Sequence, residues 1–190
     1  MQKIPTLFVR DPEDRRYVTD EITPGCGWVL NGEGIATRKY DGTCVMLDED
    51  GRWWARREVK PGKSAPPNFV PISTDEATGK TMGWEPIEQS PFSKFHAEAL
   101  DHWDAPISAR KPGTYELCGP KVNGNPERTD GHTLIRHEDA QTFGVTGVPR
   151  LPEDLRTLVI AVGRDGWEGI VWHHPDGRMA KLKARDYPRD

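Results

Sequence analysis

Only two stretches of this 190-residue chain carry apolar residues at helical spacing; its other apolar segments are short runs cut by turn residues. "GIAT" leads into Lys39. "TCVMLD" follows and stops at "DEDG", a turn signal. "RWWARREV" resumes as a strand, with Trp53, Ala55 and Arg57 on one face and Trp54, Arg56 and Glu58 on the other, because side chains alternate along an extended chain. "GTYELCG" and "HTLIRH" read as strands, and "EGIVWHH" and "RMAKLKA" flank "PDG" as a hairpin. The first helix is "SPFSKFHAEALDHW", with Ser90 as cap, Pro91 in the first turn, and Phe92, Phe95, Ala99 and Trp103 on the buried face. His96 and His102 are expected at its surface or edge. The second is "PEDLRTLVIAVGRDG", with a buried stripe of Leu155, Leu158, Val159 and Val162 and a glycine near its end. About seven strands and two helices, not regularly alternating, predict an α+β fold with antiparallel sheets.

Two segments are less regular. The first thirty residues are turn-rich and are expected to pack at an edge. Residues 60–90 are rich in Pro and Gly and read as a long surface loop, either a lid or binding segment or a plain excursion.

The length suits a single domain, residues 1–190, with a core that needs no disulfide or metal staple. The 3 cysteines are an odd number with no CxxC, and the 6 histidines form no HExxH or Cys/His cluster, which argues against a disulfide framework and structural zinc. With no signal peptide and no apolar run of membrane length, the chain reads as a soluble cytoplasmic protein without a membrane partner. Lys+Arg number 26 against 30 Asp+Glu, a net charge of -4, which excludes a strongly basic nucleic-acid binder. Phosphate contacts must come from a local patch. Gly51–Lys63 supplies one, with five basic residues against one acid, and Arg56, Lys60 and Lys63 are its candidates for touching RNA. Trp53, Trp54 and Trp84 could stack on bases or fill the core.

The chemistry turns on "IATRKYDGTCVML", where K-x-D-G ends one strand-like run and a turn precedes the next. This is a surface hairpin or the seat of a nucleophile. A nucleophilic lysine must shed a proton held with a pKa of about 10.4, which desolvation and neighbouring cations assist. Arg56, Arg57, Lys181 and Lys183 are the candidate cations. Lys181 and Lys183 lie two apart on a strand and so share a face, either a solvated one or a cation pair. Glu116 in "TYELCG" and Glu168 in "WEGIVW" open or interrupt apolar strands. A carboxylate so placed needs a partner: a cation, sugar hydroxyls, a hydrated metal or an ordinary salt bridge.

In order, "KYDG", "ARRE", "YELCG", "EGIVW" and "KLK", from about Gly34 to Ala184, resemble the motif series of covalent nucleotidyltransferases, the polynucleotide ligases and mRNA capping enzymes. "TRKYDGTC", "LCGPKVNGNPE", "HTLIRH" and "EGIVWHHPDGRMAKLK" look more like compact ATP-dependent 5′-to-3′ RNA ligases. The resemblance implies a nucleotidyltransferase (ATP-grasp-like ligase adenylation) domain. Two antiparallel sheets would enclose a nucleotide cleft with helices outside, and no C-terminal OB-fold would follow. Lys39 would attack the α-phosphate of ATP, giving lysyl-AMP and pyrophosphate. AMP would pass to the 5′-phosphate of RNA, and a 3′-hydroxyl would displace it, which is RNA-repair chemistry. Thr37 and Arg38 would line the nucleotide. Asp41 and Gly42 would shape the turn, with Asp41 also a candidate metal ligand. Arg57 or Arg56 would touch the nucleotide or the incoming 5′-phosphate. Glu116 would bind ribose. Glu168 would hold Mg2+ or Mn2+ through water or stabilise Lys39, and Lys181 and Lys183 would neutralise the α-phosphate.

The sequence departs from the pattern twice. Arg38 stands where many relatives carry an acid, and no aromatic follows "YELCG" to stack on adenine, leaving Ile135 or His137. The same resemblance admits a DNA nick-sealing ligase, a GTP-dependent capping guanylyltransferase, AMP transfer to another acceptor, or an inactive RNA-binding relative. Retention of Lys39, Glu116, Glu168 and the paired lysines favours chemistry over the last.

Overall fold

Short strands with alternating burial leave each sheet one face to cover, and this chain covers such faces with two separate cores. The computed structural model describes residues 3–76, 78–103, 110–144 and 147–188. In chain order the strands are β1 (Phe8–Arg10), β2 (Val18–Ile22), β3 (Ile35–Lys39), β4 (Thr43–Leu47), β5 (Trp53–Val59), β6 (Val70–Thr74), β7 (Thr81–Pro86), β8 (Gly113–Cys118), β9 (Thr133–Arg136), β10 (Gly169–His173) and β11 (Met179–Lys183). Helix α1 (Ser93–Asp101) precedes β8, and α2 (Pro152–Arg164) precedes β10. The chain divides into two compact units, Met1–Lys3 with Asp41–Asp139, and Ile4–Tyr40 with Ala140–Asp190. The mixed, antiparallel character agrees with α+β. Instead of two sheets there are three among the described residues: β1-β2, β11-β10-β3 and β6-β7-β5-β4-β8-β9.

In the unit of Ile4–Tyr40 and Ala140–Asp190, α2 lies against β10 and β11. Leu155, Val159 and Val162 are buried and Leu158 packs beside them, the stripe expected from their spacing. The opening residues do lie along a sheet edge: Leu7 N donates to the Lys181 carbonyl and Lys181 N to that of Pro5, at 2.8 and 3.0 Å. They contribute more than an edge, however. β1 and β2 form the third sheet, and Leu7, Phe8, Cys26, Trp28 and Val29 are buried in the core.

In the unit around Asp41–Asp139, α1 begins at Ser93 rather than Ser90. The Ser90 carbonyl accepts from Ser93 N and its hydroxyl from Phe92 N, so Ser90 closes a turn ahead of the helix. Ala99 is buried in the core, with Phe92, Phe95 and Trp103 packed against it. His102 is exposed, as expected. His96 is not at the surface: it is 3% exposed, edge-on to Trp53 at 4.6 Å. It lies four residues after Phe92 and three before Ala99, on the buried stripe itself. Burial, with the nearby Arg110 charge, depresses its pKa to about 4, so the ring is neutral at pH 7.

The long loop expected over 60–90 is also corrected. Val70–Thr74 and Thr81–Pro86 pair as the antiparallel strands β6 and β7, and Trp84 and Glu85 are buried. The Pro and Gly residues that suggested a loop mostly occupy the connections, while Pro71 falls on the edge strand β6, where a missing N–H is tolerated. Trp53 packs on the core beside Trp84's strand pair, and Trp54 donates through Nε1 to Asp48 at 2.8 Å. Among the described residues no helix is long and apolar enough to cross a membrane.

Candidate active site

β10 is the central strand of its sheet, and Gly169 is the register partner of Lys39 on β3 and of Lys183 on β11. Glu168 immediately precedes that position. Its carboxylate therefore receives both ammonium groups, Lys39 on Oε2 and Lys183 on Oε1, and Arg185 joins at 3.3 Å. The Glu168 side chain is 6% exposed, Lys39 18% and Lys183 13%. Burial pushes the Glu168 carboxyl up, but Lys39 and Lys183 outweigh it and hold it below the ordinary carboxylate range. For Lys183 burial wins over the attraction of Glu168, and its pKa is lowered.

Alternation explains how the sequence builds this. Ala36, Ile170, Trp172, Ala180 and Leu182 are buried in the core. The interleaved Thr37, Lys39, Val171, Lys181 and Lys183 share the other face. Thr37 is buried there, its hydroxyl donating to the Val171 carbonyl at 3.2 Å. Arg38 falls on the face opposite Lys39, against the rings of Tyr40 and Trp167. Lys183 is fixed through its backbone as well: its N–H donates to Asp186, which is 2% exposed and paired with Arg10 at 2.8 Å.

The K-x-D-G sequence crosses the boundary in the chain, so Asp41 and Gly42 open the other unit. There Asp41 N donates to Glu127 at 2.8 Å and Gly42 N to Glu116 at 3.0 Å. The Asn123 amide donates to Asp41 at 3.1 Å and to the Gly42 carbonyl at 2.7 Å. A Cβ on Gly42 would run into the Leu117 carbonyl, so only glycine fits this approach to β8. Gly42→Ala is expected to destabilise the protein by about 2 kcal/mol, the scale of overpacking, as a lower urea midpoint with an unchanged slope.

Glu116 is 8% exposed, and its second oxygen meets His137 Nε2 at 2.9 Å. His137 Nδ1 lies 2.9 Å from the Thr114 hydroxyl, so a neutral ring donates from Nε2 and accepts at Nδ1. Ile135 is the register partner of Glu116 and shares its face. Register also separates the two arginines. Arg56 falls on the Glu116 face; Arg57 falls on the opposite face with Ala55, 4.0 Å from Glu85. Lys60 and Lys63 are exposed in the turn after β5. Among the described residues no group of three or more His, Cys, Asp or Glu could hold a metal ion.

The chain is similar to RNA ligase 1. It is 23% identical to RNA ligase 1 of Danio rerio over 262 residues, covering 95% of this chain and 79% of that protein. It is 25% identical to RNA ligase 1 of Pongo abelii and of Mus musculus over 215 residues, covering 78% of this chain and 65% of each relative. This chain thus spans somewhat less than two thirds of those mammalian RNA ligase 1 proteins. No protein-family model matches it. The likeness to RNA ligase 1 supports an RNA-ligase-like relationship at low identity.

Three residues at these clusters escaped the sequence reading. Asn123 and Glu127 hold the Asp41–Gly42 turn, and their signal was the "NGNPE" run after β8. Arg185 continues the two-residue spacing of Lys181 and Lys183, a pattern that could have included it.

Proposed function

We propose that this chain is an ATP-dependent RNA ligase that joins 5′-phosphate and 3′-hydroxyl RNA ends through a lysyl-AMP intermediate. The observation that carries this reading is the sharing of one carboxylate by three cations. Lys39, Lys183 and Arg185 all meet Glu168, which can offset one positive charge of the three. A half-buried surplus of positive charge that includes two lysines suits a phosphate anion and a nitrogen nucleophile together. The similarity to RNA ligase 1 supports RNA as the acceptor.

In the first step Lys39 Nζ attacks the α-phosphorus, an N–P bond forms, and the bond to pyrophosphate breaks. The proton that Nζ sheds passes towards Glu168 and on to water. In the second step the RNA 5′-phosphate oxygen attacks the same phosphorus and the N–P bond breaks, leaving an adenylated 5′ end. In the third a 3′-hydroxyl attacks the RNA phosphorus and AMP departs. Lys181, Lys183 and Arg185 neutralise phosphate oxygens, and Thr37, on the strand face of the two lysines, lines the nucleotide. Glu116, oriented by His137, takes the ribose, with Ile135 or His137 beside the base. Arg56 is the better candidate of the two arginines for a phosphate contact, because it shares the Glu116 face. Lys60 and Lys63 are exposed for the RNA backbone.

Both Glu168 oxygens already hold lysines, and an Asp41 oxygen holds Asn123, so these residues fit a hydrated Mg2+ or Mn2+ better than a direct protein cage. Glu168 and Asp41 would hold such an ion through water, and it would supply charge neutralisation and alignment.

The test is intact-protein mass spectrometry after the chain, first stripped of carried-over AMP, meets ATP and Mg2+ without acid. A shift of one AMP is expected with ATP and not with GTP. An adduct with GTP alone would make it a capping enzyme, and no adduct would sink the reading. Sealing of 5′-phosphate RNA, compared with nicked DNA, then identifies the acceptor.

A further inference from the structure

Arg38 precedes Lys39 on β3 and lies on the opposite face of the sheet, against the rings of Tyr40 and Trp167. Pairing between β3 and β10 ends at Lys39 and Gly169, so Tyr40 and Glu168 both lie one step beyond the last register pair. The Arg38 guanidinium lies 4.7 Å from the ring centroid of Tyr40, the residue after Lys39. It lies 4.9 Å from that of Trp167, the residue before Glu168. One cation therefore touches the immediate neighbours of both members of the Lys39–Glu168 pair, from the opposite face of the sheet. The surroundings hold it there: Arg38 N donates to the Gln141 carbonyl at 2.7 Å, Trp167 N to that of Val162 at 3.0 Å, and Trp167 stands edge-on to Phe143 at 5.3 Å.

We propose that Arg38 is a positioning residue whose stacking on Tyr40 and Trp167 fixes the ends of β3 and β10 so that Lys39 meets Glu168. This rests on the adenylation reading. A planar, permanently charged guanidinium can lie on two ring faces, which neither an acid nor a lysine reproduces. Arg38 then acts through its neighbours and does not touch the nucleotide.

Arg38→Gln, Arg38→Lys, Trp167→Leu and Trp167→Phe separate these possibilities in the full chain. In single-turnover adenylation, Arg38→Gln and Trp167→Leu are expected to slow the saturated rate about tenfold, the scale of a small misplacement of reacting groups. The half-saturating ATP concentration should stay within about twofold, since uniform binding is untouched. Trp167→Phe keeps a ring and should restore most of the rate, while Arg38→Lys should not. The combined Arg38→Gln/Trp167→Leu chain should be no slower than either alone. A rise in half-saturating ATP with an unchanged saturated rate would mean a direct nucleotide contact and overturn the proposal, as would wild-type rates throughout.

A second readout needs no ATP. Acetylation of Lys39 by acetic anhydride, followed across pH by peptide mass spectrometry, should become about threefold faster in Arg38→Gln and Trp167→Leu as the Glu168 pair loosens. Wild-type labelling in both would overturn positioning. Because this readout is independent of nucleotide, a wild type that forms no AMP adduct would sink adenylation without deciding the role of Arg38. If Arg38→Gln fails to fold, the Trp167→Phe and Arg38→Lys pair carries the same comparison.

Discussion

Lys39→Ala protein incubated with ATP and Mg2+ is expected to show no AMP adduct in its intact mass, while the wild type shifts by one AMP. The loss should be complete, because no other amine occupies the position opposite Gly169 on β3. Folding should survive. Glu168 keeps Lys183 and Arg185 after the change, so its carboxylate is not left unpaired. The expected stability change is about 1 kcal/mol, below the cost of breaking a buried pair, because the carboxylate keeps two cations. A Lys39→Ala chain that still takes up AMP would move the nucleophile elsewhere, with Lys183 the first place to look.

Glu168→Gln should cost the most stability. The change leaves Lys39, Lys183 and Arg185 facing one another around a neutral amide. Removing one partner from a buried ionic cluster costs about 3 kcal/mol at the low end of its range. The low end applies because Arg185 is 64% exposed and lysine stems can reach towards water. Urea unfolding at neutral pH should show this as a lower midpoint, and adduct formation should fall with it.

The dependence on pH has a definite sign. The folded-state pKa of Glu168 is held down, so the stability it contributes is fully present above the unfolded value of about 4.3 and fades as pH falls through the folded value. The gap between wild type and Glu168→Gln should therefore be wide at pH 7 and close in acid. A gap that stays constant from pH 7 to below the folded pKa would mean that the charge of Glu168 is not what matters.

Much of the strand framework was readable because its signals are local. β4, β5, β8, β10 and β11 alternate or end at turn residues, and α2 carries its stripe at helical spacing. The first helix shows where this fails. His96 is polar by type but lies on the apolar stripe, and its burial follows from packing against Trp53. Residues 70–86 failed for a related reason: β6 is held by its pairing with β7, which the Pro-rich composition does not reveal.

The sequence by itself determined the two-residue spacing of Lys181 and Lys183, the order of the motifs around Lys39, Glu116 and Glu168, and the α+β class of the chain. Tertiary structure alone decided which of these residues meet. It made Glu168 the shared partner of Lys39, Lys183 and Arg185, put Arg56 and not Arg57 on the Glu116 face, and turned Arg38 onto the rings of Tyr40 and Trp167. The reason is register. Side chains alternate with a period of two, so a one-residue slip between strands exchanges the faces, and partners 129 residues apart cannot announce their pairing locally.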